Sequence, residues 1–198
     1  MSVTDQKKKQ IVSAAIAEFQ EKGFAGASMD RISDRACVSK RTVYNHFDDK
    51  QSLFREITQC MVDQLNEALE IPYDADLPIR DALIRLGWAE GELLTKSCFM
   101  SLARMIMGET IRDPEMAADV NSRMTKLSVF EEFIARATDE GKLNAPDPKL
   151  AAEQFLGLIK SRAFYPNIYA NRVPDRDEMD AIIQESVDMI LAQYGTGD

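Results

Sequence analysis

The chain has 198 residues, 45 % apolar and 29 % charged, a length and balance that build a soluble globular core and exclude an intrinsically disordered chain. No run approaches the ~20 consecutive apolar residues of a membrane span, and the N-terminus lacks the apolar core of a signal peptide, so a reducing cytoplasm is the expected compartment. A stand-alone nonspecific nucleic-acid binder would be more basic throughout; the net charge of −9 is uneven, with ten Lys/Arg against eight Asp/Glu in residues 1–60 and fourteen against twenty-five in the rest.

In chain order, Thr4 can cap a first helix in which Ile11, Val12, Ala15, Ile16 and Phe19 form a broad apolar face. Lys22-Gly23 ends it, with a cation near the C-terminus and a glycine that tolerates left-handed backbone. Two short helices follow, opened by the N-cap residues Ser28 and Ser39. Met29, Ile32 and Ala36 give the first an apolar face, and Val43 and Phe47 give the second a narrow seam. Cys37-Val38 leaves room only for a tight turn, so the pair reads as a helix-turn-helix. A long helix then runs from Asp48, with Gln51 in capping-box-like spacing, through Leu53, Phe54, Ile57, Met61, Leu65 and Leu69 to about Glu70, roughly 33 Å.

Further helices follow, three of them signposted by proline near the first helical position. Pro78 opens one to about Leu94. Ser97 to Glu109 is apolar most of the way round. Asp113-Pro114 opens a long one through Val120, Leu127, Phe130 and Ile134 to Gly141. Asp147-Pro148 opens another, ending before Pro166, and the last runs from about Asp175 to Gly195. No strand alternation, internal repeat or low-complexity linker interrupts the series. The expectation is an all-α chain of about nine helices: a three-helix head in residues 1–50, a connecting helix over 51–70, and a helical body in 71–198.

The outward face of the second short helix indicates what the head does. Lys40, Arg41, Thr42, Tyr44, Asn45 and His46 lie there, with no acidic residue between Val38 and Phe47. Arginine and lysine match guanine, asparagine matches adenine, threonine meets a thymine methyl, and all reach phosphates. The run Ala36-Cys37-Val38-Ser39-Lys40-Arg41-Thr42-Val43-Tyr44-Asn45-His46-Phe47, with Lys50 and Leu53-Phe54 after it, resembles the DNA-binding signature of TetR-type transcriptional regulators over roughly residues 8 to 65. Cys37 stands where that family usually has glycine; cysteine is small and often buried. The segment from Leu102 to Tyr169 resembles the C-terminal domain of the family's AefR-like branch. On this reading Ser28, Ser39, Lys40, Arg41, Thr42, Tyr44, Asn45 and His46 are the duplex contacts, Ser28 holding a phosphate through a helix N-terminus. The resemblance adds Lys50 as a phosphate-contacting lysine.

A single head spans too few base pairs, so paired heads ~34–36 Å apart, or a multiple of that, are expected. The last two long helices are the expected homodimer surface, through Gly157, Ser161, Phe164, Ile183, Val187 and Ile190. The resemblance also implies a small-molecule effector pocket in the body, for which Trp88, Phe99, Met100, Arg104, Met107, Phe130, Phe133, Phe155, Arg162 and Tyr165 are candidates; plain core is the commoner role for such apolar residues, and a surface salt bridge the commoner one for Arg104 and Arg162. An enzyme is not expected. The one histidine, His46, is in the recognition helix, and there is no P-loop or GxGxxG. Cys37, Cys60 and Cys98 read as free thiols, and no metal or cofactor is expected. The competing expectation is a helical adaptor that works through protein contacts, which would carry acidic or bulky apolar residues where Lys40 to Tyr44 stand. The function expected from the sequence is a repressor that binds a palindromic DNA operator as a homodimer.

Overall fold

The computed structural model describes residues 3–123 and 128–197. Eleven helices are formed among them: α1 (Val3–Gly26), α2 (Met29–Arg35), α3 (Lys40–His46), α4 (Lys50–Ala68), α5 (Ile79–Leu94), α6 (Ser97–Thr110), α7 (Pro114–Arg123), α8 (Ser128–Asp139), α9 (Pro148–Ala163), α10 (Tyr165–Ala170) and α11 (Arg176–Tyr194). None is long and apolar enough to cross a membrane. The fold is all-α, with a helix-turn-helix near the N-terminus and a helical C-terminal body.

Two places account for the excess over nine helices. The stretch expected as one helix from Asp113 to Gly141 contains α7 and α8 as separate elements, and Leu127 lies outside the described residues. Pro166 ends α9 as expected but also sits in the first turn of α10, where its missing N–H costs nothing; Asn171, left-handed at φ 54°, closes that helix. The proline signposts hold. Asp113 Oδ1 accepts from the amides of Glu115 and Met116, and Asp147 caps α9 by accepting from Leu150 N. The long helix α4 starts later than expected. Its cap is Asp49, not Asp48: Ser52 N donates to Asp49 Oδ1 while Asp49 N donates to Ser52 Oγ, a reciprocal box that holds the Asp49 carboxyl below its usual pKa.

The chain divides into two units. The first takes in the described residues up to Asp63 and those from Leu102 through α7; the second takes in Gln64–Ser101 and the described residues from α8 onward. In the first unit Ile11, Ala15, Phe19, Ile32, Val43, Leu53, Phe54 and Ile57 are buried. Phe19, Phe24 and Phe54 form a ring cluster with centroids 5.3 to 6.4 Å apart, which joins the ends of α1 and α4. At Gly23 (φ 69°, ψ 165°) α1 breaks and turns once more before α2.

In the second unit α5, α9 and α11 pack together, with α8 against α9. Gly87 and Gly91 let α11 approach: a Cβ on Gly87 would stand 2.9 Å from Ile183 Cγ2, and one on Gly91 3.2 Å from Met179 Cε. Phe130 and Phe155, both fully buried, meet at 6.0 Å.

Candidate nucleic-acid interface

Helix α3 is fixed from within. The Ser39 hydroxyl accepts from Thr42 N at 3.1 Å and shares a 2.8 Å hydrogen bond with the Thr42 hydroxyl. Val43 is fully buried and Phe47 nearly so, and this two-residue seam holds the helix on the first unit's core. A seven-residue helix has no intrinsic stability in water, so cap and seam determine both its existence and its orientation. The opposite face is open. Lys40, Arg41, Tyr44 and Asn45 are exposed, while Thr42 and His46 are half-buried.

The turn before α3 puts Cys37 where a glycine would be easier to accommodate. Val38 N donates to Ser33 O and Cys37 N to Asp34 O, the two bonds that close a helix with a left-handed residue just after its cap. Cys37 is that residue, at φ 51°, and its side chain is exposed rather than buried. Glycine adopts this conformation without a Cβ penalty, so cysteine here carries local strain.

Several expected contacts are already engaged within the protein. Ser28 caps α2 by accepting from Arg31 N at 3.2 Å; α2 has only seven residues, and Asp30 puts a carboxylate in its first turn, which opposes a phosphate there. Lys50 Nζ donates to the carbonyls of Phe24 (2.8 Å) and Ala25 (3.2 Å) and lies 5.0 Å from the Phe24 ring centroid, so it closes the end of α1. Lys40 pairs with Asp30 at 2.6 Å. Arg41 makes no ion pair among the described residues.

Two acidic residues organise the motif without having been singled out in the sequence. Glu18, 1 % exposed, holds Arg31 Nε at 2.5 Å and reaches Arg35 at 3.4 Å, which ties α2 to α1. Arg31 also donates to Gly26 O, and Arg35 pairs with Glu21 at 2.5 Å. Lys22 first, and Arg35 next, hold the Glu21 carboxyl down at about 2. Glu18, as the buried carboxylate of the two, needs such partners. The available signal was Glu18's place beside Ala14, Ala15 and Phe19 on the apolar face.

Phe99, Met100, Phe130, Phe133 and Phe155 are buried in the second unit's core, and Phe133 packs edge-on to Tyr73 at 5.0 Å. Arg104 and Met107 belong to the first unit. Trp88 Nε1 donates to Asp180, with the Arg176 guanidinium 4.6 Å from the indole ring centroid. Arg162 pairs with Glu185 at the surface, and Tyr165 is exposed. Of the expected dimer residues, Ile183, Val187 and Ile190 are at most 2 % exposed, because Met179, Ile182, Ile183, Ser186, Val187 and Ile190 form one stripe facing the chain's own body. Gly157 and Ser161 are exposed, and Phe164 is half-buried against Tyr165. Met189 and Tyr169, exposed near them in sequence, were not expected. Among the described residues no cluster of three His, Cys, Asp or Glu is placed to hold a metal.

The family model described as bacterial regulatory proteins of the tetR family matches residues 11–57, and that described as the C-terminal domain of AefR-like transcriptional repressors matches residues 81–196. The chain is 36 % identical over 156 residues, 77 % of each chain, to IcaR of Staphylococcus aureus (strain Newman), the negative transcriptional regulator of the biofilm operon icaADBC. A crystal structure of a TetR family regulator from Pseudomonas syringae pv. tomato str. DC3000 matches with 38 % identity and a TM-score of 0.85, covering all of both chains. The flavonoid-responsive regulator FrrA shares the fold at 24 % identity and a TM-score of 0.78, over 98 % of this chain and 100 % of its own. With its helix-turn-helix and its C-terminal helices both matched, the chain belongs to the TetR family of bacterial transcriptional regulators, in the branch with an AefR-like C-terminal domain.

Proposed function

We propose that the protein is a cytoplasmic repressor that reads a near-palindromic operator as a homodimer and is released when a small-molecule effector binds its body. The observation that carries this is the two-sided character of α3: a buried Val43–Phe47 seam behind an exposed Lys40, Arg41, Tyr44 and Asn45. Such a face offers bidentate donors to base edges. Residues 1–50 read the duplex and 71–198 hold effector and partner. The kinship with IcaR, a negative regulator, supports repression over activation.

The homodimer forms through the outward faces of α9 and α11, where Gly157 and Ser161 permit close helix approach and Met189, 57 % exposed, supplies apolar area. The engaged state of Lys50 and Ser28 leaves Arg41, Tyr44 and Asn45, with the methyl group of Thr42, as the principal readers. Release is a population shift in which the effector binds better to the body when the heads are misspaced.

Selection of bound sequences from a random duplex pool tests the reading. Enrichment of an inverted repeat with half-site centres ~34–36 Å apart, or a multiple of that, is the expected result. A pool that stays random after repeated rounds, with folded protein, contradicts it.

A further inference from the structure

The head's cations are unequally available to DNA. Lys8 pairs with Glu56, Arg31 and Arg35 with Glu18, and Lys50 with main-chain carbonyls. Of the two α3 cations Lys40 and Arg41, Lys40 is ion-paired, to the Asp30 carboxylate of α2 at 2.6 Å, and Arg41 has no ion pair among the described residues. Asp34, one turn further along α2, and Tyr44 act on Lys40 in the same direction as Asp30, whose hydrogen bond raises the ammonium pKa above its ordinary value. Both side chains of the pair are more than half exposed, so the pair is weak and reversible.

Its consequence lies in how proteins bind DNA without regard to sequence. That affinity scales with the number of phosphates neutralised and counterions released. A lysine already paired to a carboxylate contributes less to it, whereas the side chains of Arg41, Tyr44 and Asn45 take no part in the pair. We propose that Asp30 is a specificity-determining residue of the duplex-reading site: by holding the Lys40 ammonium across the two helices of the motif, it withholds one cation from sequence-independent phosphate binding. Discrimination is then left to Arg41, Thr42, Tyr44 and Asn45. Asp30 is a positioning residue that acts through Lys40, and the inference rests on the reading of α3 as the groove helix.

The test is a salt titration of full-length protein binding to a random-sequence duplex and to the selected operator, for wild type, D30N, K40Q and the D30N/K40Q double variant. Thermal midpoints serve as the check on folding. On the random duplex, D30N steepens the slope of log affinity against log salt by up to about 0.9, the counterion release of one phosphate. It binds more tightly at low salt and has a lower operator-to-random ratio. The gain needs Lys40: the D30N/K40Q double variant has a slope no steeper than that of K40Q alone.

A D30N slope equal to that of salt-dependent wild-type binding overturns the inference while leaving the groove reading intact. A D30N gain that persists in the K40Q background also overturns it, because Asp30 would then act by repelling phosphates itself. If wild type and variants all fail to bind either duplex, the groove reading fails and the inference with it.

Discussion

Helices α3 and α11 divide their residues between interior and solvent in opposite ways. Within its seven residues α3 buries Val43 alone, and the rest of its side chains are exposed or half-buried. Over nineteen residues α11 buries Met179, Ile182, Ile183, Ser186, Val187, Ile190 and Tyr194. In the short helix the polar residues can only point outward, so their chemistry is the chemistry of the surface. In the long helix the abundance of aliphatics shows that something covers them, and the chain's own α5 and α9 suffice.

The largest expected effect tests the α11 half of this contrast. Ile183→Ala should destabilise the protein by ~2–5 kcal/mol, read as a fall in thermal midpoint, while the folded fraction keeps the self-association of the wild type. Lost association at unchanged stability would return Ile183 to the subunit interface. Next, Gly87→Ala should cost ~1–3 kcal/mol by forcing a methyl into Ile183. In a double variant with Ile183→Ala the two losses should sum to less than their separate values by roughly 1 kcal/mol; strict additivity would deny the close approach of α5 and α11.

Two smaller effects concern the support of α3. Cys37→Gly should stabilise the protein by ~0.5–1 kcal/mol, since it relieves the left-handed cysteine at some cost in chain entropy. A loss of stability on that change would mean that the thiol makes a contact worth more than the strain. The smallest effect is an acid shoulder. Glu21's folded pKa, about 2, lies below the ordinary 4.5, so its pairing with Lys22 and Arg35 stabilises the fold above pH 4.5 and fades as pH falls toward 2. Glu21→Gln should flatten that shoulder in an acid-unfolding curve, slightly because the group is exposed.

Much of the head was legible in the sequence because it is built from local rules. Caps at Ser28 and Ser39, a break at Gly23, and apolar spacing of four at Val43 and Phe47 each act within one turn of helix. The Asp49–Ser52 box was misplaced by one residue, since adjacent aspartates offer the same cap chemistry and only backbone geometry chooses between them. Less legible was whether a polar side chain is already engaged. Lys50 with the Phe24 and Ala25 carbonyls, Lys40 with Asp30, and Glu18 with Arg31 are pairings between helices, and periodicity along one helix carries no information on them. In the body, periodicity marked which residues are apolar. It could not separate Ile183, which covers Gly87, from Met189, which faces solvent, because that depends on the angle at which α11 meets α5.

The most direct test of the central assignment, that the outward face of α3 reads the duplex, is the affinity of Arg41→Ala for the selected operator, measured beside its self-association. Loss of ~1–3 kcal/mol in binding, with oligomeric state and thermal midpoint unchanged and discrimination relaxed at one base pair of each half-site, is the predicted result. Wild-type affinity and specificity in that variant would contradict it.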